Sequence, residues 1–134
     1  MAWIQPKTDW VASDYFNATD YNRINGNVAH LKAYLGTLFD TVEISLSEEE
    51  KTNLSLIYAR EMNVIENGLA ALNGKSYGLN IGENKTYKPN GKVPTFEDYN
   101  RIESAILALY EMAQVHKANL PRLALTLGQK GLRV

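Results

Sequence analysis

The sequence contains no cysteine, almost no net charge and no long apolar run. The lack of cysteine excludes a disulfide scaffold, thiolate catalysis and cysteine-ligated zinc, and it fits a protein made in a reducing cytosol. Lys and Arg number 14 against 15 Asp and Glu, so a formal net charge of -1 provides no global field that attracts nucleic acid or a lipid surface. No segment approaches the roughly 18 apolar residues that cross a bilayer, and the amino terminus has no signal-peptide core. We therefore expect no nucleic-acid partner, no membrane partner and no export by a signal peptide.

Signatures of catalysis and of cofactor or metal binding are also missing. The only two histidines, His30 and His116, have no second histidine or carboxylate at ligand spacing beside them, and we expect them to be partly exposed helical residues. No nucleophile elbow, Walker sequence or GxGxxG turn occurs. We expect no catalytic, cofactor-binding or metal-binding residue, in a chain whose length fits a single domain over 1–134.

A repeated motif is the most informative feature of the chain, because self-similarity exposes the building unit. Asp20-Tyr21-Asn22-Arg23-Ile24 recurs letter for letter as Asp98-Tyr99-Asn100-Arg101-Ile102. At the same offset of 78 residues, counted from 20 to 98, Lys7-Thr8 falls on Lys85-Thr86 and Leu31 on Leu109. A weaker third copy places Met62, Asn63 and Ile65 where the last copy has Tyr99, Asn100 and Ile102. The sequence predicts three related units, at about 7–39, 47–72 and 85–117.

Each copy has the apolar spacing of an amphipathic helix, with apolar residues at i, i+3, i+7 and i+10. These seams are Tyr21, Ile24, Val28 and Leu31, then Met62, Ile65, Leu69 and Leu72, then Tyr99, Ile102, Ile106 and Leu109. Capping residues followed by an acid three positions later occur at Asn17, Ser47 and Thr95. The pattern predicts a mainly α fold with helices at about 17–39, 47–72 and 95–117, and a seam of this kind favours nearly parallel packing. A break in the second helix near 52–55 is an alternative to a continuous helix.

An asparagine occupies the same place in every copy, as Asn22, Asn63 and Asn100, although asparagine is a poor residue for a helix interior. Buried amides are bonded, so one hypothesis is that Asn22 and Asn100 bond the backbone of their own lead-in segments, 7–17 and 85–95. The alternative is a solvated polar residue.

The motif also carries a charge pair. Arg23 and Arg101 stand three residues after Asp20 and Asp98, a spacing that brings side chains together on one helix face. We expect both pairs to form on an exposed face, where each contributes about 0.2–0.5 kcal/mol.

The segments outside the helices differ in character. Residues 73–94 hold four of the nine glycines and two of the four prolines, which predicts a long loop. The tail, 120–134, follows a helix end predicted near 119–121 and alternates at Leu123, Leu125 and Leu127. Since 41–46 alternates similarly, a short β element is predicted in which the tail pairs either with 41–46 or, as we favour, with a strand of another subunit.

Four aromatic side chains, Trp3, Trp10, Tyr15 and Phe16, precede the first helix. They fit either an arm folded back on the bundle or a surface for a partner, since tryptophan is enriched in cores and at interfaces. The candidate partner contacts are these four residues and the three alternating leucines of the tail.

The opening of the chain resembles the amino-terminal segments of tail, fibre and baseplate-associated proteins of phages and prophages of Gram-positive bacteria. The resemblance covers 3–31, with the Pro6-Lys7-Thr8-Asp9-Trp10 lead, the Asn17-Ala18-Thr19-Asp20 cap and the Tyr21-Asn22-Arg23-Ile24 helix start. This chain has Asn25 where glutamate is usual, although the last copy keeps Glu103. The resemblance implies a structural protein bound to a particle.

We therefore expect a non-catalytic adaptor or fibre-associated component of a phage tail or baseplate. It would be made in the bacterial host cytoplasm, carry no cofactor, form a homo-oligomer in the virion and contact other phage structural proteins. One alternative is a head decoration or head-fibre protein, which the virion fraction that contains it would distinguish. A second alternative is a small phage-encoded regulatory or binding protein, which is disfavoured because basic residues are not gathered on one helix face.

Overall fold

The chain folds into three helices, and the described residues between them are mostly extended. The computed structural model describes residues 3–39, 42–46, 50–52, 57 and 59–131, with side chains described as far as residue 120. The helices are α1, Ala18–Gly36, α2, Ala59–Gly74, and α3, Phe96–Gly131. The predicted mainly α, three-helix fold is confirmed.

Local sequence signals explain where α1 and α3 begin. At α1 the Asn17 side chain accepts from the Asp20 N–H at 3.1 Å, and the Asp20 carboxylate accepts from the Asn17 N–H at 3.1 Å. At α3 the Asp98 carboxylate accepts from the Thr95 N–H at 2.9 Å. These bonds satisfy amide donors that a helix cannot pair in its first turn, so the predicted cap at 17 is confirmed. At 95 the acid plays its predicted part, but the Thr95 hydroxyl donates to Asp98 Oδ2 at 3.3 Å.

All three helices run in the same direction. Near their amino ends, Ala18 of α1 and Ala59 of α2 line one groove together with Pro94, just before α3. Beyond their carboxyl ends, Phe39 follows α1 and packs on Tyr77, which follows α2, with ring centroids 5.1 Å apart. Between one helix and the next, the chain therefore returns from one end of the bundle to the other.

The predicted apolar seams form the core where the three helices meet. Every seam residue is buried except Tyr99, which is half-buried and packs against the same core. Ile24, Ile65 and Ile102, which occupy the same place in the three copies, have no exposed surface. The seam spacing thus identified the core-facing side of each helix.

The second helix starts later than predicted. It begins at Ala59 rather than at 47, and residues 50–52 are not helical. The backbone of Lys51 bonds the side chain of Asn22 instead, so its N–H and C=O are not available to a helix. The predicted cap at Ser47 and most of the predicted break at 52–55 lie outside the described residues.

The predicted β element is not formed in the described backbone. Residues 120–131 continue α3, so the strand at Leu123, Leu125 and Leu127 and the helix end near 119–121 were wrong. A lone strand leaves its backbone groups unpaired, whereas a helix pairs them within the segment, and leucine, alanine, arginine and lysine are good helix formers. Pairing of the tail as a strand, with 41–46 or with another subunit, is excluded for this conformation.

Residues 42–46 are extended but have no strand partner among the described residues. Val42, Ile44 and Leu46 are half-buried against the core, while the residues between them are exposed. Ile44 packs so closely on Gly68 of α2 that a Cβ built there would lie 2.9 Å from an Ile44 methyl carbon. The alternation therefore marks the side that faces the bundle.

Candidate functional site

Each helix holds an extended segment through the repeated asparagine. Asn22 accepts from the Lys51 N–H and donates to the Lys51 C=O, both at 2.8 Å. Asn63 bonds Tyr87 in the same way, at 2.6 and 2.8 Å. Since a side-chain amide presents an acceptor and a donor side by side, each asparagine imitates the paired bonds of a neighbouring antiparallel strand.

The third asparagine closes the series into a ring. Asn100 of α3 accepts from the Trp10 N–H at 2.7 Å and donates to the Trp10 C=O at 2.9 Å. Thus α1 holds the segment that leads into α2, α2 holds the one that leads into α3, and α3 holds the one that leads into α1. We call these three contacts the ring clamps.

The clamp partner differs from the sequence prediction. The hypothesis that Asn22 and Asn100 bond the backbone was correct, but the assignment to their own lead-ins was wrong. The lead-ins 7–17 and 85–95 turn directly into their own helices. The backbone of each lead-in therefore lies beside the clamp asparagine of another helix, not beside that of its own helix. The motif therefore joins units instead of stabilising each unit alone.

Two further asparagines use the same geometry outside the ring. Asn27 bonds the Ile4 N–H and C=O at 3.0 and 2.7 Å, and Asn73 bonds those of Leu79 at 2.8 and 2.8 Å. The first fixes the amino-terminal arm on α1, and the second fixes the loop that follows α2. The predicted long loop is therefore ordered by contacts with its own bundle.

A buried carboxylate stands three residues after the clamp in α3. Glu103 has no exposed surface and accepts from Arg23 Nε at 2.7 Å and Nη2 at 2.8 Å. It also accepts from Trp10 Nε1 at 2.6 Å and from the Lys7 N–H at 3.0 Å. Because buried charges are costly unless paired and bonded, this network ties α3 firmly to the first unit.

The same arrangement recurs in α2. Glu66 accepts from Arg101 Nη1 at 2.8 Å and from the Tyr87 hydroxyl at 2.6 Å. The clamp of Asn63 and the carboxylate of Glu66 thus hold one residue, Tyr87, by its backbone and by its side chain. Trp10 is held in the same two ways by Asn100 and Glu103.

The contact between the first and second helices lacks both members of this glutamate–arginine pair. It has Asn25 where the other helices have glutamate, and α2 has Val64 where the other motifs have arginine. Asn25 and Val64 line the same small surface cavity. The acid and its arginine are thus absent together, and an ion pair within the second unit, between Lys51 and Glu61 at 2.8 Å, lies near this position.

The charge pairs predicted within the motif are present but are not exposed. Arg23 Nη1 lies 2.9 Å from Asp20 Oδ1, whereas Arg101 Nη2 lies 3.9 Å from Asp98 Oδ1. The side chain of Arg23 is only 12% exposed, so the expectation of a solvated face was wrong. Both arginines primarily serve the buried glutamates.

The pKa of Asp98 reflects this setting. Burial by itself raises the pKa, but the ammonium of Lys85, the Thr95 N–H and the nearby guanidinium of Arg101 together hold it below its ordinary value. Asp98 therefore stays ionised and keeps its capping role well below neutral pH.

Three tyrosines of the helices and lead-ins have raised pKa values. Burial, followed by the carboxylate of Glu61, raises the pKa of Tyr21 to about 12. Burial, followed by the charges of Asp98 and Asp20, raises that of Tyr99 to about 12. Burial and the bond to Glu66 raise the pKa of Tyr87 further.

These shifts predict a loss of stability in alkali. An unfolded tyrosine ionises near pH 10, so the stabilisation is complete below that pH and is lost as pH rises through the folded values of about 12. We expect the free energy of unfolding to fall above about pH 10, and Tyr99→Phe to make the fall shallower. Tyr15, which is 89% exposed, provides the control, because Tyr15→Phe should leave the profile unchanged. An equal effect of both substitutions would show that burial is not the cause.

Most of the aromatic arm packs on its own subunit. Trp3 stacks on Tyr110 with ring centroids 3.8 Å apart, and Phe16 stacks on Tyr99 at 4.1 Å. Trp10 is 4% exposed. Trp10 is thus buried and Trp3 and Phe16 are half-buried in an arm folded back on the bundle, and Tyr15 alone among the four is exposed.

The sequence interpretation missed the two buried glutamates as functional residues of the motif. A signal was available, because Glu66 and Glu103 follow the clamp asparagine at the same spacing and lie beside an apolar seam. An acid at the edge of a core needs a buried cation, and the arginines of the motif supply it. Asn27 and Asn73 fall outside the repeated motif and carried no such signal.

The histidines are half-buried, as predicted. His116 Nδ1 lies 2.9 Å from the Tyr77 hydroxyl, and the ring of His30 lies 5.7 Å from that of Trp3. Among the residues whose side chains are described, no group of three or more acidic or histidine side chains is arranged to hold a metal ion.

Over the parts of the chain that the structure describes, none of the three helices is both long and apolar enough to cross a bilayer.

The fold and the clamps define the class: a parallel three-helix protein built from three lead-in and helix units that are closed into a ring. Comparisons with protein-family models, with curated proteins and with solved structures found no significant match to this chain.

Proposed function

We propose that this protein is a non-catalytic structural component of a phage or prophage particle, an adaptor or fibre-associated protein of the tail or baseplate. The observation that carries the proposal is the use of the repeated motif. Its asparagines, arginines and acids are bonded to other parts of the same chain and join one unit to the next. Such a motif suits a protein whose task is to keep a fixed shape within an assembly.

The resemblance of residues 3–31 to segments of tail, fibre and baseplate proteins supports the particle assignment. In this chain the resembling residues form the first lead-in and the start of α1, which are the parts held by Asn100 and Glu103. The segment that carries the resemblance is therefore the one whose contacts with α3 close the ring.

The length of α3 supports an assembly role. It has 36 residues, about 54 Å, whereas α1 has 19, about 28 Å. Met112, Val115 and Leu120, toward its far end, are 39%, 56% and 39% exposed. We propose that this end contacts neighbouring particle proteins, including other copies of the chain, without nucleic acid, membrane or cofactor.

Localisation on purified particles tests the proposed function. An epitope tag on the full chain, expressed with the particle genes in the bacterial host, should co-purify with tails and be visible there by immunogold electron microscopy. Recovery with heads would favour the head decoration alternative. Absence from particles, with the tagged protein soluble in the host, would contradict a virion role and favour the regulatory alternative.

Deletion of 120–134 tests the contribution of the tail. The described core ends at Ala113, so we expect the truncated protein to keep a cooperative unfolding transition in circular dichroism. Its incorporation into particles should be lost, because the projecting part of α3 is removed.

Two outcomes contradict this view of the tail. Unfolding of the truncated protein would show that the tail belongs to the core of the monomer. Normal incorporation of a folded truncated protein would exclude a role of the tail in assembly.

A further inference from the structure

A large groove lies at the end of the bundle where the helices begin. Its volume is about 1000 Å³, at the upper end of the range of ligand sites. Its walls come from the start of α1, the start of α2 and the segment 87–94 that leads into α3. Neither the ring clamps nor the carboxylate networks fill it.

The floor of the groove is apolar. Met62 is buried there, and Phe16, Ile57 and Tyr99 are half-buried. Val93 stands at the edge with 75% of its surface exposed. An apolar side chain of a partner would be desolvated on this floor, which is how anchor residues bind at interfaces.

The rim of the groove is basic. Arg60, Lys88 and Lys92 are exposed there, and no acidic residue lines the groove in the described chain. This local excess contrasts with a net charge of -1 for the whole sequence. A bound segment with carboxylates flanking its apolar anchor would complement both the rim and the floor.

One wall of the groove is held rigidly before any partner arrives. Tyr87 is fixed by Asn63 and by Glu66. The next residues form a turn in which the Gly91 N–H donates to the Lys88 C=O at 2.9 Å, with Asn90 in the left-handed region at a φ of 62°. A preformed wall reduces the entropy lost on binding.

The aromatic rings argue for a peptide rather than a nucleic acid. Phe16 and Tyr99 stack on each other at 4.1 Å with an interplanar angle of 2°, so each has one face already covered. Binding of single-stranded nucleic acid depends on open aromatic faces for the bases. A floor of aliphatic carbon, sulfur and ring edges instead suits an aliphatic or aromatic side chain.

We infer that this groove binds an extended acidic segment of a partner protein, with one or two apolar residues seated on Ile57 and Val93 and carboxylates facing Lys88 and Lys92. The inference deepens the proposed function, since the partner would be a neighbouring particle protein. Peptide binding can nevertheless be measured with the purified chain, whether or not the chain is found on particles.

The test is selection of a random peptide library on the immobilised full-length protein, followed by fluorescence anisotropy with the most enriched synthetic peptide. We expect enrichment of Asp and Glu around one or two apolar residues. Lys88→Glu with Lys92→Glu should weaken binding by about tenfold or more. Lys75→Glu with Lys117→Glu changes the net charge equally at exposed positions outside the groove and should leave binding unchanged.

Three results would overturn the inference. The first is a selection without acidic, apolar-anchored peptides. The second is equal binding by the groove variant and the control variant. The third is displacement of the peptide by polyphosphate or a single-stranded oligonucleotide at matched charge, which would assign the groove to a polyanion.

Val93→Ser, which retains the charges, should also weaken peptide binding. This variant separates the apolar contribution to binding from the electrostatic one.

Discussion

Substitution of Arg23 by methionine is expected to lower the free energy of unfolding by about 3–5 kcal/mol. The guanidinium makes two bonds to Glu103, a carboxylate with no exposed surface. Methionine keeps most of the aliphatic stem but removes the cation, so that this buried carboxylate keeps its bonds to Trp10 Nε1 and the Lys7 N–H without a balancing charge. Chemical denaturation of the purified protein measures the loss.

Matched variants separate the buried pair from surface electrostatics. Asp9 forms a 3.4 Å ion pair with Lys7 but is 88% exposed, so Asp9→Asn should change stability by less than about 0.5 kcal/mol. Adding Glu103→Gln to Arg23→Met removes the unpaired charge and should restore part of the loss. A loss below about 1 kcal/mol for Arg23→Met alone would refute a strong buried pair.

Replacement of Ile102 by alanine is expected to cost about 2–5 kcal/mol, and Ile24→Ala a similar amount. Both side chains are fully buried where the three helices meet. The cost combines lost burial of apolar surface with the cavity that the close-packed core cannot fill. Thermal or denaturant unfolding measures it.

Val115→Ala is the control in the same helix, because Val115 is 56% exposed. It should change stability by no more than about 0.5 kcal/mol. If Ile102→Ala and Val115→Ala had equal small effects, the seam of α3 would not be core.

Periodicity was sufficient to predict the helices and the core. Apolar residues at helical spacing identify the buried face of a helix whatever its neighbours are, which is why the positions of Ile24, Ile65 and Ile102 followed from the sequence. The cap at Asn17 and the bond of Asp98 to the Thr95 N–H were predictable because capping bonds are local. The start of α2 was not predictable in this way, since Lys51 is held by a residue 29 positions earlier in the chain.

The candidate site was predictable only in its chemistry. The repeated asparagine indicated a bonded amide, but nothing in the spacing distinguishes the lead-in of the same unit from that of the next one. That choice depends on the parallel arrangement of the helices, which is a property of the tertiary fold. The role of Trp10 was open for the same reason, because its bonds come from residues 90 and 93 positions later.

The tail shows the opposite failure, in which a local pattern was misleading. Alternation at Leu123, Leu125 and Leu127 favours a strand only when a partner strand is present. Without one, helical backbone pairing and the good helix formers that follow continue α3 past Pro121, although proline itself costs about 3 kcal/mol in a helix interior. The assembly role proposed for the tail is independent of this correction.

Amide hydrogen exchange at Trp10 tests the central claim that the repeated motif closes the three units into a ring. In the native protein the Trp10 N–H should be protected by its 2.7 Å bond to Asn100. In Asn100→Ala, measured where global unfolding is rare, its exchange should accelerate by about tenfold to a hundredfold. The amides of Lys51 and Tyr87, held by Asn22 and Asn63, should keep their protection. An unprotected Trp10 amide in the native protein, or one whose exchange is unchanged in Asn100→Ala, would contradict the ring.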